Sequence, residues 1–462
     1  MHFQDVHIKP TRPSSEEAVQ LSTMDQLMPR RHMSYLLCFR QAPSVSHKAT
    51  VQQLQEGLAA ALTEMPQFAG TIRPKSGSKN ELELLLDPES YVLFRSCDAT
   101  DAASYDELLD SMGREPLITD DRLAIPAAEM QTPDGGTRSF AVQATTVKGG
   151  LLIATSIHHS VGDAKATEVL FESWAKHTAE RSHGQSPTIT IPAEDVTARW
   201  RLSYGPKNVS MDSFLELHGP KDAFRTSEIA AQVVTSRWTI SSQALQQLRD
   251  SMGSKADVQL SSSDLMCALI ARHVYKARRQ YETSNRWPDE ALLYVTSDMR
   301  SRLEPSLAKN YLGNASVAVP ALVDLVVLCD EEASTALSTT ASKIKNAIDK
   351  FDTNALRSRL AFYKAQPFFG SVMPRFEYYP GPNMLITDSS SMRFYSINWG
   401  LNLRTMDYFK SIGQTHSVGQ CALNPKRSDG TVELQMRHDV QVVEAMKDNE
   451  GFSKYFQLVG YY

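Results

Sequence analysis

Apolar and polar residues alternate along this chain in two long runs of predicted strands and helices, separated by one polar stretch. In residues 52–62 the apolar side chains Leu54, Leu58, Ala61 and Leu62 recur at helical spacing, and Pro66 ends the pattern before Phe68-Ala69-Gly70. An amphipathic helix and a turn are predicted there. Residues 81–85, 91–94 and 139–147 read as strands. Residues 151–157 are continuously apolar with β-branched members, which predicts a buried strand ending in His158 and His159. Gly162-Asp163-Ala164 then turns the chain into a helix over 167–177, where Val169, Leu170, Phe171 and Trp174 give a broad apolar face.

Residues 181–208 shift to Ser, Gly, Pro and polar side chains and read as a linker. Beyond it, strands are predicted at 233–240, 291–296 and 315–319, and helices at 242–252, 262–280 and 331–350. The expected architecture is α/β: an N-terminal lobe over 1–180, a crossover over 181–208, and a C-terminal lobe over 209–462. A length of 462 residues suits two medium cores better than one.

Composition narrows the function classes. Hydrophobic residues at 42% and charged residues at 22% are average for globular proteins, which argues against long disorder and against a membrane protein. A net charge of −5, with Lys and Arg scattered, makes no basic stripe for nucleic acid. Cys38, Cys97, Cys267, Cys329 and Cys421 lie far apart with no partner at metal-ligand spacing, so neither zinc nor a disulfide framework is expected. The N-terminal residues have no basic start followed by an apolar stretch, and a cytoplasmic monomer is the expectation.

The chemistry concentrates at the end of the 151–157 strand. A histidine there can take a proton near neutral pH, so His159 reads either as a general base or as a buried imidazole tied to backbone. His158 reads as structural, because consecutive strand residues face opposite sides. Asp163 stands four residues beyond His159. It can orient the imidazole, but an aspartate at a turn before a helix more often caps backbone N–H groups or pairs with an arginine from elsewhere.

At these residues the chain resembles the BAHD acyltransferase superfamily, in particular its fungal branch. The shared signature is His-x-x-x-Asp, His159 to Asp163. Leu21-Ser22-Thr23-Met24-Asp25 resembles the family's opening motif, and Met65-Pro66-Gln67-Phe68-Ala69-Gly70 the turn after its first helix. Ser297-Asp298-Met299-Arg300-Ser301-Arg302 resembles the Arg-Ser-Arg segment, Asn310-Tyr311-Leu312-Gly313-Asn314 the Tyr-Phe-Gly-Asn block, and Glu450-Gly451-Phe452 the C-terminal helix. The second signature, Asp-Phe-Gly-Trp-Gly, survives only as Asn398-Trp399-Gly400.

The resemblance implies two similar lobes of mixed sheet flanked by helices, as in chloramphenicol acetyltransferase, with a channel between them and His159 midway. It implies transfer of an acyl group, acetyl by default, from coenzyme A to a hydroxyl or amine of a small secondary metabolite, with no permanently bound cofactor. Thr387 would help hold the oxyanion, or simply belong to a Ser/Thr-rich turn. Ser261, Ser262 and Ser263 would lie beside the acyl-CoA with Lys255 near in sequence, or one of them would only cap a helix. Of Arg300 and Arg302, one would pair with Asp163 and the other with the Asn398 loop. A carrier-protein thioester as donor, an intramolecular cyclisation that releases a polyketide or peptide, and a non-catalytic binding protein are the alternatives.

Overall fold

The computed structural model describes residues 2–111, 120–190, 193–203, 232–252, 259–281, 288–367, 382–412 and 418–461, with shorter stretches within 205–218 and at 373–374. The first half contributes strands β1 (His2–Ile8), β2 (His32–Arg40), β3 (Val92–Asp98), β4 (Phe140–Val147) and β5 (Gly150–His158). They lie side by side in the order β1-β3-β4-β5-β2, antiparallel except for β3 with β4. Helices α1 (His47–Glu64) and α2 (Ala164–Ser182) cover one face of this sheet. Leu54 and Leu58 of α1 and Phe171 and Trp174 of α2 are fully buried there, as the helical spacing of apolar residues predicts.

From residue 233 on, the chain adds β6 (Val233–Ile240), β7 (Glu290–Asp298), β8 (Ser316–Asp324), β9 (Met384–Asp388), β10 (Tyr408–Ile412), β11 (Gln420–Leu423), β12 (Val432–Asp439) and β13 (Gln457–Tyr461). All but β10 build a second mixed sheet in the order β8-β7-β9-β11-β12-β6-β13. Helix α3 (Ser262–Tyr281) packs on it and buries nearly every residue between Asp264 and Ala277. The predicted 331–350 helix begins late: Glu332 caps α4 (Ala333–Lys350), accepting from the Ser334 N–H at 3.0 Å and the Thr335 N–H at 3.2 Å.

Two sequence-based boundaries need correction. Strand β10 is hydrogen-bonded to β2 of the first sheet, with Tyr408 opposite Cys38. The segment before it brings Phe394, Ile397, Trp399 and Leu403 into the first core, where the Trp399 ring centroid lies 5.1 Å from that of Trp174. Residues 209–462 are therefore not confined to the second lobe, because an edge strand and an apolar strap from the C-terminal half complete the first one. Within the expected linker, helix α2 continues to Ser182, and Arg199 in a single 3-10 turn is buried.

Candidate active site

Strand β5 delivers two histidines to its end, and the pleat gives them different surroundings. His158 is buried, packs edge-on to His32 at 5.2 Å, and accepts from the Ser160 N–H at 3.3 Å. Burial, with the neighbouring His32 and His159, pushes its pKa down to about 3. So weak a base is unsuited to proton abstraction near neutral pH. His159 is half-buried, and its backbone is fixed at both ends: its N–H donates to the Arg31 carbonyl at 2.9 Å, and its carbonyl accepts from Asn314 Nδ2 at 2.8 Å. Its Nδ1 is buried without a hydrogen bond of good geometry. Burial lowers the imidazole's pKa, and its own carbonyl, the Asp163 charge and Asn314 partly offset that. A neutral imidazole at pH 7 is the result.

Asp163 does not reach His159 with a hydrogen bond. It is the N-cap of α2, where Oδ1 accepts from the Ala166 N–H at 3.0 Å. Arg300, two residues past the end of β7, grips both oxygens, Nη2 to Oδ1 and Nη1 to Oδ2, each at 2.9 Å. Oδ2 also accepts from the Ala315 N–H at 2.8 Å, and from the N–H and hydroxyl of Ser316 at 3.1 Å each. Burial alone would raise this carboxyl's pKa, but the guanidinium and the backbone donors outweigh it and hold it at about 2. Arg300 further donates to the Tyr311 and Gly313 carbonyls at 2.9 Å. One buried ion pair thus ties the turn after His159, on the first lobe, to β7 and β8 of the second.

A second buried carboxylate sits on the other side of that turn. Asp25 forms a capping box with Ser22 and accepts from Arg199 Nη1 at 2.6 Å. Its other oxygen accepts from the Asn314 backbone N–H at 3.0 Å and from Asn314 Nδ2 at 2.9 Å. Arg199 Nη2 reaches the Val161 carbonyl at 2.7 Å.

The residues 3–450 match the family model described as Transferase family. This chain belongs to that family, the BAHD acyltransferases. It is 29% identical to Acyltransferase easC of Emericella nidulans over 99% of this chain and 98% of that one. It is 30% identical to Acyltransferase cm3D of Cordyceps militaris, over 96% and 97% respectively. The solved structure of TRI101 from F. graminearum, complexed with coenzyme A and T-2 mycotoxin, superposes with a TM-score of 0.81 at 15% identity, covering 96% of this chain and 100% of that one.

The BAHD resemblance named further residues, and the structure distributes them unevenly. Ser261 is a helix cap: its hydroxyl donates to Asp264 Oδ2 at 2.6 Å and accepts from the Asp264 N–H at 3.1 Å. The Ser263 hydroxyl is bound to the Asp388 carboxylate, a poor neighbour for a phosphate. Ser262, by contrast, accepts from Arg249 Nη2 at 2.7 Å, and so joins a hydroxyl to a cation at the start of α3. Lys255 lies outside the described residues. Thr387, on β9, donates to the Cys421 carbonyl at 3.4 Å and shares no hydrogen bond with His159.

With Arg300 on Asp163, Arg302 is the arginine left for the Asn398 loop, and its bonds lie elsewhere. It donates to the Ile348 carbonyl at 3.2 Å and lies 3.6 Å from Asp349, on α4. Asn398 Oδ1 accepts from the Gly400 N–H at 3.0 Å, closing a turn in which Gly400 has φ +92°. Trp399 is buried between Phe39, Phe171 and Trp174, so this degraded signature is a packing element of the first lobe. Sequence reasoning gave no role to Asp25, Arg199 or Asn314. Ser22 and Asp25 have capping-box spacing, a local signal, whereas Arg199 lay in the presumed linker and carried none.

Proposed function

We propose that this enzyme transfers an acyl group, acetyl by default, from a coenzyme A thioester to a hydroxyl or amine of a small secondary metabolite, with His159 as general base. The observation that carries the reading is the neutral, half-buried imidazole at the junction of the lobes, its Nδ1 turned inward and its turn clamped by Asp163 and Arg300. With Nδ1 on the buried side, Nε2 is the atom left to meet an acceptor. As the acceptor oxygen or nitrogen attacks the thioester carbonyl, its proton passes to Nε2 and a tetrahedral oxyanion forms. The C–S bond then breaks, and the proton goes to the leaving thiolate, so no acyl-enzyme is needed. Thr387 is the candidate oxyanion donor, and Ser262 with Arg249 the pair suited to a coenzyme A phosphate.

Relatives over the full length named acyltransferases, and a fold shared with a protein crystallised with coenzyme A and a mycotoxin, support this reading. The test is thiol release from acetyl-CoA in the presence of a panel of hydroxylated and amino metabolites. His159→Ala should lower turnover by about a hundredfold or more, and His158→Ala far less. Equal losses in two folded variants would refute the choice of base. Turnover of a carrier-protein thioester that ignores added free coenzyme A would replace the donor. No thiol release from any donor would favour a binding role.

A further inference from the structure

Helix α2 buries a histidine that the reaction does not use. His177 is fully buried where α2 packs on α1, with Nδ1 3.0 Å from Glu180 Oε2 on its own helix and Nε2 3.1 Å from Glu64 Oε1 at the end of α1. The Nδ1 contact is a hydrogen bond, whereas Nε2 faces Glu64 at ion-pair distance without hydrogen-bond geometry. The charged groups around the ring are these two carboxylates and the neighbouring Lys176 ammonium.

Both carboxylates also hold the chain that leaves the first lobe. Glu180 Oε2 accepts from the Thr188 N–H at 3.0 Å, and Glu64 Oε1 accepts from the Thr190 N–H at 2.7 Å. Lys176 Nζ donates to the Thr188 carbonyl at 2.9 Å, and the Ser173 hydroxyl donates to Glu64 Oε2 at 2.6 Å. Thr188 and Thr190 are exposed, so these bonds, more than burial, fasten 188–190 to the lobe. Arg199, nine residues past Thr190, has its own bonds to Asp25 and the Val161 carbonyl and forms a separate anchor.

We infer that His177 is the pin of a pH-sensitive latch on the entry to the crossover: its imidazolium keeps Glu64 and Glu180 in place to clasp Thr190 and Thr188, and the neutral ring lets Glu64 and Thr190 go. An imidazolium has an N–H for each carboxylate, but a neutral imidazole has one N–H and one lone pair. The well-aligned Nδ1–H stays on Glu180, so the lone pair falls on Nε2, opposite Glu64 Oε1. In a buried site that contact is repulsive, and half-buried Glu64 relieves it by swinging toward water and giving up the Thr190 N–H. Burial lowers the ring's pKa, but the bonds to Glu64 and Glu180 outweigh burial and raise it. The latch is therefore closed while the ring is charged and opens as pH rises through the raised folded pKa.

The experiment is amide hydrogen exchange by NMR on the full chain labelled with ¹⁵N-threonine, from about pH 6 to about pH 9, with Thr188 and Thr190 assigned by Thr188→Ser and Thr190→Ser. Each rate is divided by the intrinsic rate at the same pH, which removes the base catalysis of exchange itself. Protection of Thr190 should fall about tenfold or more over this range, the scale of one hydrogen bond to a charged group, and that of Thr188 should fall less. In His177→Gln, whose side chain does not titrate, Thr190 protection should stay level. Glu64→Gln, which keeps an acceptor for the Thr190 N–H but sets no charge opposite the ring, should also stay level. A level profile in the wild type overturns the inference without any variant, so a variant that does not fold leaves it testable. The wild-type fall repeated in either folded variant overturns it as well. No step uses an acyl donor or His159, so its failure is distinct from that of the acyl-transfer reading.

Discussion

Replacing Asp163 should cost stability to nearly the same extent whether the new residue is alanine or asparagine. The carboxylate meets only donors: two guanidinium nitrogens, the N–H groups of Ala166, Ala315 and Ser316, and the Ser316 hydroxyl. Asp163→Ala leaves Arg300 buried with the half-exposed Asp298, at 3.0 Å, as its remaining carboxylate, and removes a helix cap. Breaking one side of a buried pair costs about 3–5 kcal/mol, and the Asp298 contact together with the Tyr311 and Gly313 carbonyls argues for the lower end. An independent route gives a similar size. Depression of the carboxyl from 3.8 to about 2 corresponds to roughly 2 kcal/mol of stability. Asparagine has the right shape, but its NH₂ must face an Arg300 N–H at either oxygen position, so it should lie within about 1 kcal/mol of alanine. Urea midpoints at equal m-value, read by fluorescence of the buried Trp174 and Trp399, make the comparison. An Asp163→Asn protein within about 0.5 kcal/mol of wild type would refute the all-donor account. Because the folded pKa is depressed, this stabilisation is complete above about pH 4 and is lost as pH falls through about 2.

Two further outcomes follow from other contacts. His177 is fully buried with its ring nitrogens 3.1 Å from Glu64 and 3.0 Å from Glu180. Burial alone would lower its pKa, but the two carboxylates outweigh burial and Lys176 and raise it, so its contribution is present below about pH 6.5 and is lost as pH rises through the folded value. Melting temperature should fall between pH 6 and 9, and His177→Gln should flatten that fall; an identical pH profile in the variant would rule out this cause. Gly400→Ala should destabilise by about 1–3 kcal/mol, because φ is +92° and a Cβ would stand 2.4 Å from Ser182 Oγ and 2.7 Å from Ala179 Cα. A neutral melting curve would show that the loop can move off α2.

Local physics made part of this protein legible in its sequence. The periodicity of 52–62 and the apolar run 151–157 mark α1 and β5, because burial of a helix face or a whole strand writes itself into neighbouring residues. The same holds for the His159–Asp163 turn, since an N-cap bonds a residue three positions on. Strand β2 lies between two neighbours in the first sheet and buries residues 36–39 in succession, so no alternation betrays it. The partner of Asp163 lies 137 residues away, and Asn314 lies 155 from His159 and 289 from Asp25. The Arg-Ser-Arg resemblance offered two candidates, Arg300 and Arg302, for Asp163, and only packing separated them. Nor does any local pattern send β10 back to the first sheet or bring Arg199 out of an apparent linker into the core, since what selects such contacts is the need of buried charge and open sheet edges for partners, which only the assembled fold supplies.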